Sequence, residues 1–150
     1  MTSYETVFNR FLQKIEDPEL AELTEDEQNE TMIGWLNSAL ATMEFEGISL
    51  SSNLLDKDDD IMEFSADLSN MEMELMSIYM LCVWYEHKMN GVETMLMFVG
   101  TNNEKWTDQK SYLTYLREQR DAELLRARKL YRNYGYNHSS YFGDEDTNEV

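Results

Sequence analysis

From Leu75 to Tyr85 the chain reads Leu-Met-Ser-Ile-Tyr-Met-Leu-Cys-Val-Trp-Tyr, eleven residues without a charge, bracketed by Glu74 and Glu86. Wound into a helix, this run is apolar nearly all round, and a helix with no polar face has to be enclosed by its neighbours. It is too short to span a bilayer, which takes about 20 apolar residues. The rest of the chain must therefore build a wall around it. One proline and six glycines in 150 residues leave little punctuation for a turn-rich β fold, so the wall is expected to be helical. The expected class is all-α: one compact helical bundle with a buried central helix and a long projecting C-terminal helix.

Helix starts are marked locally. Thr2 with Glu5, Thr24 with Glu27 and Ser69 with Glu72 fit the capping box, in which hydroxyl and carboxylate satisfy each other's backbone amides. Thr107-Asp108 offers a fourth cap. Apolar periodicity predicts helices over residues 3–15, 25–43 and 70–89, the last closed by Asn90-Gly91. A short helix over 92–99 and a long one over 108–134 follow. Residues 47–68 read as a loop with a short helix or turn over 61–64. In the last helix Leu113, Leu116, Leu124, Ala127 and Tyr131 mark an apolar face, but the polar run Arg117-Glu118-Gln119-Arg120-Asp121 interrupts it. That helix is expected to leave the core near its middle, and its projecting second half to meet a partner. Residues 1–135 are taken as the helical domain and 136–150 as a flexible or partner-ordered tail.

Charge is divided by position. Residues 1–75 carry 19 acids and 3 bases, residues 76–143 carry 7 acids and 9 bases, and residues 144–150 add four acids, for a net −18. So acidic a chain is repelled by nucleic acid at long range and is not expected to grip it. The bases Arg117, Arg120, Arg126, Arg128 and Lys129 are expected to form an inter-subunit face that pairs with acids of residues 1–75 on a neighbouring copy. The N-terminal residues have no basic or apolar signal region, and the reading is of a soluble protein made inside the cell.

Little in the chain points to catalysis. Asp56, Asp58, Asp60 and Asp67 fall at calcium-loop spacing, but Ile61 stands where the loop needs glycine, and a solvated acidic turn is the expected reading. His87 and His138 have no partner at metal spacing. Cys82 reads as a buried hydrophobe. Seven of eleven methionines lie between Met71 and Met97 and are expected to fill core. No catalytic residue, cofactor site or metal site is expected, and the protein is not expected to be an enzyme.

Short strings spread over most of the chain carry a resemblance. They are the segments from Tyr4 to Ile15, Leu20 to Leu23 and Trp35 to Ala41, then Asp67-Leu68-Ser69 and Trp84-Tyr85, then Phe98 to Thr101, Trp106-Thr107, Leu116-Arg117-Glu118 and Tyr131 to Tyr134. In their order and layout they are similar to the head-to-tail connector, or adaptor, proteins of tailed phages of Gram-positive hosts. The resemblance implies a structural virion protein, a homo-oligomeric and dodecameric ring below the portal protein. Such a ring extends the DNA channel and docks a stopper or tail-completion protein. It implies a place in the neck of the virion after synthesis in the host cytoplasm, with DNA passing through unbound and no membrane contact. The family's portal anchor would correspond to Leu130, Tyr131, Arg132, Tyr134, Tyr136, Tyr141 and Phe142. Acids facing the channel would come from Glu25, Asp26, Glu27 and Glu30 and from Asp56, Asp58, Asp59 and Asp60. Two other readings compete: an acidic DNA-mimic inhibitor, and an assembly chaperone that stays outside the particle.

Overall fold

The uncharged run lies at the centre of a 29-residue helix, and every side chain from Leu75 to Met80 is fully buried, at 0% exposure. A computed structural model describes residues 1–98 and 104–137. In chain order the elements are β1 (Thr2–Ser3), α1 (Tyr4–Leu12), α2 (Pro18–Ala21), α3 (Glu25–Phe45), β2 (Lys57–Asp58), β3 (Glu63–Phe64), α4 (Asn70–Phe98) and α5 (Glu104–Asn137). Helices α1, α3 and α5 all pack on α4, which is how a helix without a polar face is kept from water. Tyr4, Val7, Phe8 and Phe11 enter the core from α1, Met32, Leu36, Ala39, Leu40 and Met43 from α3, and Ala127 from α5. Each large side chain buried this way contributes about 1.5–3 kcal/mol. The class is the expected one, a mostly helical bundle around a buried central helix. No helix among the described residues is long and apolar enough to cross a membrane.

Two capping boxes form as the sequence predicts. Thr24 Oγ1 accepts from the Glu27 amide at 3.3 Å while Glu27 accepts from the Thr24 amide at 2.9 Å. Ser69 and Glu72 repeat this at 3.2 and 3.4 Å at the start of α4. The third does not form. Thr2 lies in β1, where its hydroxyl donates to the Ala66 carbonyl at 3.0 Å and accepts from the Leu68 amide at 2.9 Å, and Ser3 caps α1 instead. Asp17 caps α2, with Pro18 in the first turn where its missing N–H is no loss. Helix α3 ends on Gly47, whose φ of 76° lets Ile48 N–H reach the Met43 carbonyl at 2.9 Å and Gly47 N–H the Glu44 carbonyl at 3.1 Å.

The expected turn over 61–64 is part of a small antiparallel sheet in the order β1-β3-β2, with Phe64 opposite both Thr2 and Lys57. Asp58 Oδ1 accepts from the amides of Asp60 and Ile61 and folds the turn, and Met62 takes a positive φ of 56°. The fully buried Phe64 packs on the Tyr4 ring with centroids 4.8 Å apart, tying the sheet to α1.

The α4–α5 hairpin departs most from expectation. Asn90-Gly91 does not end α4, which runs on to Phe98 and absorbs the short helix predicted over 92–99. Helix α5 starts at Glu104, so Thr107-Asp108 lies inside it, and it passes through Gly135. A glycine inside a helix costs about 1 kcal/mol relative to alanine. Packing of Met89 and Val92 against Leu113 and Leu116 outweighs that at Gly91. Nor does α5 leave the core at its polar run. Leu113, Leu116, Arg120, Glu123, Ala127, Leu130 and Tyr134 alternate at spacings of three and four, the repeat of a two-helix seam. Arg120 and Glu123 occupy that seam as partly buried polar layers, with the Arg120 carbonyl 4.0 Å from Cys82 Sγ. Beyond them the seam is closed again: Ala127 is fully buried, and Leu124, Leu130 and Tyr131 pack on the main core. At 34 residues α5 is long, about 51 Å. However, the stretch that outruns the main core is its beginning. There Met89, Val92, Leu113 and Leu116 form a separate cluster built from α4 and α5 alone.

Candidate functional site

The acidic start of α3 and the end of the acidic β2–β3 turn border a common groove. Glu25, Asp26, Glu27 and Glu30 are exposed in the first turns of α3, where carboxylates favour the helix dipole. Asp56 to Asp60 surround the β2–β3 turn. Glu5, Glu25, Gln28, Ile61 and Met62 border a single open groove of about 530 Å³ between the two segments. The eight acids are not equivalent. Glu27 belongs to the capping box, and the bond from the Thr24 backbone holds its carboxyl below the usual range. Asp56 accepts from Ser65 Oγ at 2.9 Å and Asp58 closes the turn. Asp59 accepts from Lys57 Nζ and from the Tyr4 hydroxyl, each at 2.6 Å, and from Asn37 at 3.3 Å. The Lys57 and Tyr4 contacts hold the Asp59 carboxyl low. Glu25, Asp26, Glu30 and Asp60 have no side-chain hydrogen bond or ion pair among the described residues. The calcium-loop aspartates diverge, Asp67 pairing with the Met1 ammonium, and no cluster of three metal-ligating side chains occurs among the described residues.

The basic residues of α5 are placed differently from expectation. Arg126 reaches Glu74 at 3.5 Å, joining Lys14 at 2.8 Å and Arg10 at 3.2 Å on the same carboxylate. Burial opposes ionisation of Glu74, but these cations outweigh it and hold its carboxyl below the usual range. Arg128 pairs with Glu46 at 3.1 Å, and Glu46 also accepts from the Tyr79 hydroxyl. Arg120 lies 3.7 Å from Glu86 and 3.2 Å from Asp121. Acids of residues 1–75 are thus the partners of Arg126 and Arg128, as expected, but they belong to the same chain. The reason is that α5 stays on the core and lays its cations beside α3 and α4. Arg117 and Lys129 are exposed and have no ion pair among the described residues.

Three of the seven expected anchor residues make contacts within the chain. The Tyr134 hydroxyl accepts from the Ser51 amide and donates to Ser51 Oγ, both at 2.8 Å. The Tyr131 hydroxyl accepts from the Ser49 amide at 3.1 Å. With Leu130, these two tyrosines close the loop after α3 onto the bundle, Leu130 and Tyr131 half-buried and Tyr134 buried. Arg132 is exposed. The side chain of Tyr136, together with Tyr141 and Phe142, lies outside the described residues.

Sequence reading missed the end of the hairpin. Met73, Met76, Met80 and Met89 are core, as expected, but Met95 and Met97 are not, at 52% and 84% exposure. Phe98 is 86% exposed, and Tyr112 and Tyr115 stack on each other in solvent, with planes 16° apart. The available signal was their position beyond Gly91, outside the uncharged run. Cys82 is buried as expected, and burial, reinforced by Glu123 and Glu86, pushes its thiol up to about 12. His87 stands beside the Trp35 ring. No protein-family model matches the chain, and no curated protein or solved structure is significantly similar to it.

Proposed function

We propose that the chain is a structural virion protein, a head-to-tail connector subunit of the kind its sequence resembles, assembling as a ring between the portal protein and a stopper or tail-completion protein. The main support from the fold is that Glu25, Asp26, Glu30 and Asp60 stand exposed without partners among the described residues, Glu25 bordering the groove between the start of α3 and the β2–β3 turn. Carboxylates lining a conduit repel the polyanion that passes through it and keep it moving. Of the eight acids first considered, these four suit that face, because the other four are committed to the fold. Arg117 and Lys129 suit contacts between subunits, and Arg132 with residues 136–150 suits attachment to the portal.

The test is mass spectrometry of purified virions of the encoding phage, with this chain quantified against the portal protein. A fixed ratio near one is expected for matching rings. Absence from the particle rejects the connector and promotes an acidic DNA mimic, which would use the same carboxylates alone, or an assembly chaperone.

A further inference from the structure

The outer part of the α4–α5 hairpin is an arm with an apolar face exposed among the described residues. Its base is marked by the Glu86–Arg120 pair, and α4 extends about 18 Å beyond it to Phe98. On α4, Gly91, Met95 and Phe98 recur at i, i+4 and i+7, one stripe of the helix. On α5, Tyr112 and Tyr115 present their stacked rings. The two stripes adjoin, for Gly91, Met95 and Tyr112 border one open groove of about 710 Å³. A Cβ at Gly91 would meet nothing within 4 Å, so a partner helix can approach closely there. His87, Lys88, Asn90, Thr94 and Gln109 border the same groove, so the apolar side chains Met95, Phe98, Tyr112 and Tyr115 are exposed beside a polar rim, as at an interaction site.

Charge identifies the occupant. Residues 86–120 carry five acidic and five basic side chains, so the net −18 of the chain resides entirely outside the arm. Copies approaching through any acidic part of the bundle repel each other. Through the arm they meet neutral surface, with both bodies held apart at its base. The face is also self-complementary. The α4 half carries Gly91 and Met95 and ends on Phe98, and the α5 half carries the two tyrosine rings. A two-fold axis lays each half on the other, where thioether sulfur meets ring. We propose that this face binds the arm of a second copy of this chain, forming an antiparallel four-helix pair. The proposal does not depend on the connector reading.

Sedimentation velocity on the full chain tests it. A dimer is expected that tightens as salt is added, because salt screens the repulsion between bodies while leaving the apolar contact intact. Met95→Glu and Tyr112→Glu, both at exposed positions, are each expected to weaken the dimer roughly 30-fold or more, as loss of a central anchor does. Phe45→Glu, at a still more exposed apolar position on α3, is expected to leave it unchanged. Circular dichroism of each variant confirms that the bundle persists. A monomer at every accessible concentration overturns the proposal. So does an oligomer that dissociates in salt or responds to Lys129→Glu but not to Met95→Glu, since that would be acid–base pairing between copies.

Discussion

Single carboxylates hold this acidic chain together at a few defined points. Asp17 shows how. Its side chain, 4% exposed, accepts from the Leu20 amide at 3.2 Å and from Trp84 Nε1 at 2.9 Å, and lies 3.3 Å from Lys88 Nζ. It therefore caps α2 and fixes α2 to α4 in one step. Burial raises the cost of ionising it, but the bonds from Trp84, Leu20 and Lys88 outweigh that cost and leave its carboxyl below the ordinary range. A folded value below the unfolded one gives stability that is present above the unfolded value of about 4 and is lost as pH falls through the folded value. Asp17→Asn is expected to cost roughly 1–3 kcal/mol at neutral pH. The gap to the parent chain should shrink as pH falls below about 4 and close only below the lowered folded value, where the folded parent protonates too. Urea midpoints measured across the acid range check this; a gap that stays constant with pH would show that the charge of Asp17 does not matter.

At the level of elements, what was legible in the sequence was local. The boxes at Thr24 and Ser69 each join residues three apart, and the uncharged run buries itself wherever it is placed. What was not legible was decided from far along the chain. Thr2 serves Ala66 and Leu68 rather than Glu5. Strands two residues long leave no periodicity to read. Arg117 to Asp121 looked like a departure from the core, because a seam that admits Arg120 and Glu123 as partly polar layers has the same composition as a surface. The eight acids of the α3 start and the β2–β3 turn are exposed, but which of them are engaged depends on partners such as Tyr4 and Asn37. Loop closure by the two tyrosines is testable here. Tyr134→Phe leaves the Ser51 amide and hydroxyl without their partner and is expected to cost about 1 kcal/mol. Tyr131→Phe should cost less, because its bonds to Ser49 are longer, at 3.1 and 3.4 Å. Chemical denaturation gives the order, and equal losses would mean that ring packing alone closes the loop.

For the molecule as a whole, the last turns of α5 belong to the packed body. Removing residues 130–150 deletes Leu130, Tyr131 and Tyr134 from the packed surface of the bundle and should lower the melting temperature by several degrees or more. Removing only 138–150 keeps those contacts and, in the connector reading, should abolish attachment to the portal. If both truncations melt alike, the end of α5 is not part of the core. The clasp of Tyr131 and Tyr134 on Ser49 and Ser51 also has a mechanical meaning. Tension applied at the distal end of α5 along its axis loads those bonds and the seam layers beneath them together, in shear, instead of peeling them one at a time. The force then passes through the loop into α3 and through α4 into the middle of the bundle, so a pull on one end is resisted by the whole body.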